Sequence, residues 1–194
     1  FVTKVLTKST GTAIDPNALE LSINAIKNVF SIKEEDLEKD FIDERDANIT
    51  KIVTQLETTI KSLSAAINDS NITEDKIFDS IVNQIVENKI IDFTNSTDIM
   101  NIIEKVEIDN TNVTISKNIK SNVTSLISKV NTDLEKIAES NDKTFTEKIE
   151  ESTKLSVATN NSLTGEAINL NQDSSTISIT DIINKINSAT SDVT

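Results

Sequence analysis

Two Gly and one Pro in 194 residues leave this chain few ways to turn a tight hairpin. Two-residue hairpin turns need positions that accept positive φ, and Gly supplies most of them. What recurs instead is Ile, Leu and Val at three- and four-residue spacings, set among Ser, Thr, Asn, Lys, Asp and Glu. That spacing is the helical period. The expected fold is all-α, a multi-helix bundle of roughly six to eight helices joined by short polar loops. No strict heptad is sustained, so a compact bundle is expected rather than a long coiled coil. There is no exact internal repeat. Residues 1–194 read as a single helical domain, divisible at most into two packed sub-bundles, about 1–108 and 109–194.

His, Cys, Trp and Tyr are all absent. Their absence removes the commonest general base, the thiol nucleophile and the aromatic anchors of binding sites. An enzyme is therefore not expected. The hydrophobic fraction is 36% and the aromatic fraction 3%, so the core must be aliphatic with a few Phe. Low hydrophobicity with high charge is also the signature of disorder, but the periodicity of the Ile residues argues against it. A formal charge of -13 disfavours nucleic acid and anionic lipid as direct partners. No run of apolar residues is long enough for a membrane span. The chain opens at Phe1 rather than Met, which reads as an excerpt or a processed product.

Along the chain, Asp15-Pro16 opens a helix that Leu19, Ile23, Ile26 and Phe30 carry to about Phe30. Ser31 with Glu34 resembles a capping box, and Leu37, Phe41 and Ile42 are expected to pin the following connection to the core. A long helix is predicted from about Asp43 to Asn68. Its apolar stripe is Ile49, Ile52, Val53, Leu56, Ile60, Leu63 and Ile67. Thr73 caps the next helix, and Ser96 or Thr97 the one after. Residues 107–115 read as a loop, with a short strand as the alternative that their alternation offers. Ser116 opens a helix that ends near Asn141, a further one starts near Lys143, and 165–175 reads as loop with room for one helical turn at Glu166 to Ile168. Ser178 with Asp181 resembles a capping box for the last helix.

The acidic run Glu34, Glu35, Asp36, Glu38, Asp40, Asp43, Glu44 and Asp46 supplies the main metal candidate. Carboxylate oxygens suit Ca²⁺, with Glu34, Glu35, Asp36, Asp40 and Asp43 as the candidate ligands. The run lacks the spaced acids and the Gly of a calcium loop. Acids gathered at the positive end of a helix account for the same residues, so no cofactor is expected. Asp109-Asn110-Thr111-Asn112 also offers oxygens but reads as an Asx-rich turn. Asn48, Asn71, Asn95, Asn112, Asn122 and Asn160 begin Asn-x-Ser/Thr triplets, read here as capping and composition. Ser62 beside Lys61 does not make a nucleophilic dyad, since adjacent helical residues point apart.

Four segments occur in an order that resembles an all-helical domain carried by large bacterial surface and secreted adhesin-like proteins. They are Val2-Thr3-Lys4-Val5-Leu6-Thr7, Val29-Phe30-Ser31-Ile32, Asp36-Leu37-Glu38-Lys39-Asp40-Phe41-Ile42 and Phe93-Thr94-Asn95-Ser96-Thr97-Asp98-Ile99-Met100. The chain lacks the Pro, and most of the Gly and Ala, that such domains carry. The resemblance implies a non-enzymatic extracellular structural or adhesive domain, with neighbouring domains in a longer chain, and brings no catalytic or binding residues with it. Two alternatives stand beside it: a self-assembling subunit of an extracellular filament or surface layer, and an intracellular helical adaptor. In each reading the partners are proteins or further copies of the chain.

Overall fold

The computed structural model describes residues 16–30, 32–33, 35, 45–87, 90–170 and 178–191. Among them are seven helices and no strand: α1 (Pro16–Phe30), α2 (Ala47–Ile67), α3 (Glu74–Val86), α4 (Ser96–Asp109), α5 (Lys117–Glu139), α6 (Phe145–Leu170) and α7 (Ile179–Ser191). The chain is thus the all-α multi-helix bundle that its periodicity implies. The expected Ser31/Glu34 box and the anchors Leu37, Phe41 and Ile42 lie outside the described residues.

Side-chain caps set most helix starts, because the first turn leaves backbone N–H groups without helical partners. The Asp46 carboxylate accepts from the N–H groups of Asn48 and Ile49, each at 3.0 Å, so α2 begins later than its expected start at Asp43. Thr73 and Ser116 cap α3 and α5, as their positions suggest. The cap of α4 is Asn95, not Ser96 or Thr97. Its side chain accepts from Thr97 N–H at 2.8 Å. A reciprocal capping box opens α6. Thr144 N–H donates to Glu147 at 2.7 Å, and Glu147 N–H donates to Thr144 Oγ1 at 3.3 Å. Ser178 Oγ accepts from Asp181 N–H at 3.1 Å at the start of α7. At its far end α2 closes on Asn68, whose φ of 47° places it in the left-handed region that Asn tolerates.

The aliphatic centre lies on α3, α4 and α5. Four residues of α3 (Ile77, Ile81, Val82, Ile85) and four of α4 (Ile99, Ile102, Ile103, Val106) have no exposure at all. Val123, Leu126, Ile127 and Leu134 of α5 face them, and Leu155, Leu163 and Leu170 extend the cluster onto α6. Helix α6 runs on through Gly165 to Leu170, over the first six residues of the expected loop, and 171–175 lie outside the described residues. Gly in a helix costs about 1 kcal/mol against Ala. Complete burial of Leu163 and Leu170 on either side offsets that cost.

In α2 the expected stripe is rotated. Ile49 and Leu63 are buried, but Val53 is 38% exposed, and Ile52, Leu56, Ile60 and Ile67 are only half-buried. The buried side is instead Thr50, Gln55, Thr58, Thr59 and Ser62 with Ala66. This side packs against α5 and α6, the two helices it touches most. Hydrogen bonds identify the reason. Asn131 of α5, wholly buried, donates through Nδ2 to Thr59 Oγ1 and to the Phe93 carbonyl, both at 2.9 Å. Gln55 Nε2 donates to the Asn131 carbonyl at 2.9 Å. Phe93 also stacks on Phe30 of α1, with ring centroids 6.0 Å apart. One amide therefore joins α5 to α2 and to the loop before α4, and through Phe93 to α1.

A truncated Asn131 strands the Phe93 carbonyl and the Thr59 hydroxyl in the interior. Asn131→Ala is expected to lower unfolding free energy in urea by about 3 kcal/mol. Asp46→Ala, which removes only a cap, is expected to cost about 1 kcal/mol.

Candidate functional site

Most of the calcium candidates fall outside the described residues: Glu34, Asp36, Asp40 and Asp43, together with Glu38 and Glu44 of the same run. Glu35 is exposed, with an oxygen 3.7 Å from Lys33 Nζ. Asp46 is spent as the cap of α2. Among the described residues no three acidic side chains gather in a way that would hold a metal ion.

The Asp109–Asn112 turn lies at the mouth of two shallow grooves, about 340 and 260 Å³, which meet at Lys76, Asp109 and Asn110. The turn is the C-terminal closure of α4. Asn110 Nδ2 donates to the Val106 carbonyl at 2.7 Å, and Val113 N–H donates to the Asn110 carbonyl at 2.9 Å. The Asp109 carboxylate takes Lys105 Nζ at 3.2 Å on one oxygen and Asn83 Nδ2 at 2.8 Å on the other. Lys76, across the groove, donates to the Asn71 carbonyl at 2.7 Å. Both carboxylate oxygens of Asp109 are thus engaged with α3 and α4, while the Asn110 side chain closes the turn through its Nδ2.

What positions this wall of the groove is Glu107, which sequence reading did not single out. Its Oε1 accepts from the Ile115 N–H at 2.9 Å, and its Oε2 from Lys120 Nζ. The latch ties the loop after α4 to the first turn of α5. The Lys120 hydrogen bond, with the Ile115 N–H second, holds the Glu107 carboxyl below the usual glutamate range. The sequence carries no signal for it, because Glu107 and Lys120 meet only after the loop has folded back.

A third groove, about 320 Å³, runs between α2 and α3 beside Val53, Leu56, Ile60 and Phe78, with Glu57, Lys61, Glu74 and Asp75 along it. It is the consequence of the rotation of α2, which brings its aliphatic side chains toward α3 and the surface. Lys61 is engaged with Glu57, whose hydrogen bond raises the Lys61 pKa above its ordinary value. Ser62 is wholly buried, so no accessible Ser–Lys pair exists here. Of the Asn-x-Ser/Thr positions, Asn122 is buried and donates to the Leu170 carbonyl at 3.0 Å, while Asn95 caps α4.

A carboxylate whose folded pKa is depressed stabilises the fold above its unfolded pKa, near 4.3 for glutamate. That contribution is lost as pH falls through the folded value. Glu107→Gln is expected to lower stability by about 1 kcal/mol at pH 7. It should also flatten the fall in stability below about pH 4 relative to the parent chain, read by urea unfolding at a series of pH values.

No protein-family model matches this chain, and neither curated proteins nor solved structures yield a match to it.

Proposed function

We propose that this chain is a non-enzymatic extracellular helical module of a bacterial surface protein, with a structural or adhesive role. The observation that carries the reading is the use to which the fold puts its polar side chains. Asp46, Thr73, Asn95 and Ser116 cap helices. Glu107 and Lys120 tie the end of α4 to the start of α5, and Asp109 ties it to α3 through Asn83. Gln55 and Asn131 join helices in the interior. Among the described residues, these polar groups are committed to building. What faces outward is charge and shallow grooves, which suit contact with another macromolecule better than enclosure of a small substrate.

The formal charge of -13 keeps such a module soluble and separate at high local density, as on a crowded surface. It also favours partners with cationic patches. No described helix is long and apolar enough to cross a membrane. The likeness to adhesin-like helical domains supports the surface location.

The test is sedimentation velocity over a wide concentration range, paired with electron microscopy of native material. A monomer at every concentration, and single globules on a longer stalk, are the expected results. Ordered filaments or sheets with this chain as the repeat would overturn the reading in favour of an assembly subunit. Recovery from washed cytosol alone would contradict the surface location.

A further inference from the structure

We infer that α6 and α7 form an arm that opens from α2 and α5 as one unit while α3, α4 and α5 stay folded. The inference rests on the chemistry of the α2/α6 seam. On α2, Thr50, Thr54 and Thr58 recur every four residues. On α6, Ser152 and Ser156 do the same. Thr50 and Ser152 line one crevice between the helices, and Thr58 Oγ1 donates to Ser156 Oγ at 2.8 Å. Among the described residues α2 and α6 are the most extensively paired helices, and hydroxyl side chains make up much of their seam, beside Ala47, Phe145 and Ile149.

Hydroxyls in a helix can bond back to a carbonyl of their own preceding turn. Thr54 does so to the Thr50 carbonyl at 2.8 Å, and Thr159 to the Leu155 carbonyl at 2.7 Å. These bonds survive when the helices part, so separation strands neither group. Two seam hydroxyls gain by it. Thr50 Oγ1 and Ser62 Oγ are buried without a hydrogen-bond partner, and Ser62 lies one turn beyond Thr58 on the inner side of α2. Opening gives both to water, which relieves the cost of leaving them unmade.

Against that stand the Thr58–Ser156 bond, the Asn122–Leu170 bond and the aliphatic contacts of Leu155, Leu163 and Leu170. Burial of Ile182 and Ile186 joins α7 to the same arm, since α7 packs mainly on α6. At the near end, Lys148 donates to the Ala138 carbonyl at 2.8 Å, so the arm stays tethered at the α5–α6 corner. The pairing of α3 with α4 is aliphatic at its centre, with eight residues of no exposure, and is further bridged by Gln84 Nε2 to the Asn101 carbonyl at 3.2 Å and Asn83 Nδ2 to Asp109 at 2.8 Å. Local openings follow this kind of difference, with the least cohesive contiguous unit leaving first.

The experiment is hydrogen exchange by mass spectrometry on the full chain in increasing urea. Amides of α6 and α7 should exchange through one shared opening, with protection roughly tenfold or more below that of α3 and α4. Thr50→Val, which replaces a stranded hydroxyl by a methyl, should raise protection in α6 and α7 and leave α3 and α4 unchanged. A second readout uses the absence of native Cys. Ser152→Cys in the seam should react with a thiol reagent roughly tenfold faster than Ser80→Cys in buried α3. One protection value for α3, α4, α6 and α7, exchange of α6 apart from α7, or equal labelling of the two thiols would overturn the inference.

Discussion

The Asn131 side chain is the contact on which the arrangement of helices depends. Helix packing by aliphatic surface alone is permissive, because many rotations of one helix on another bury similar area. A buried amide is not permissive. Its two donors must find acceptors, and here they find the Thr59 hydroxyl and the Phe93 carbonyl. Those bonds are available at one rotation of α2 and one placement of the α3–α4 loop. The Asn131 Oδ1 atom is itself buried without a partner, so the amide is held by its donors alone. Exchanging its O and N would set an oxygen against the Phe93 carbonyl, which fixes its orientation.

The rest of the bundle follows from that rotation. With Gln55 and Thr59 turned to α5, the Thr50 and Thr58 side of α2 meets Ser152 and Ser156 of α6. Val53, Leu56 and Ile60 turn away, toward α3 and the surface. The fold thus has two kinds of interior. Between α3, α4 and α5 it is mainly aliphatic, and most of its cohesion comes from removing apolar area from water. Between α2 and α6 it is a seam of hydroxyls, close-packed but contributing less per unit area. The ion pairs that span helices, such as Lys51 to Glu135 at 3.0 Å, lie at the rim, where solvent reduces their worth.

Helix number, type and most boundaries were legible in the sequence, because aliphatic period and capping residues are local properties. Pro16, Thr73, Ser116 and Ser178 mark their helix starts by chemistry alone. The inner face of α2 was not legible. Seven aliphatic residues at helical spacing outvote Thr, Gln and Ser in any local count, and the Asn131 contact that reverses the vote comes from a residue far along the chain. The extension of α6 past Gly165 was hidden for the same reason, since Leu163 and Leu170 find their burial only in the assembled bundle. At the surface, the Asp109–Asn112 turn was readable as Asx chemistry, while the Glu107 latch that holds it was not. In a chain without His, Cys, Trp or Tyr, the functional reading comes to rest on which polar groups the architecture consumes and which faces it leaves outward.

The most direct test of this account is a double-mutant cycle between Thr59→Val and Asn131→Ala, read by urea unfolding. If Asn131 keys α2 into place, the two effects are strongly non-additive, with a coupling of about 1 kcal/mol or more. Additive effects would mean that the amide and the hydroxyl are neighbours without being partners, and that aliphatic packing alone sets the rotation of α2.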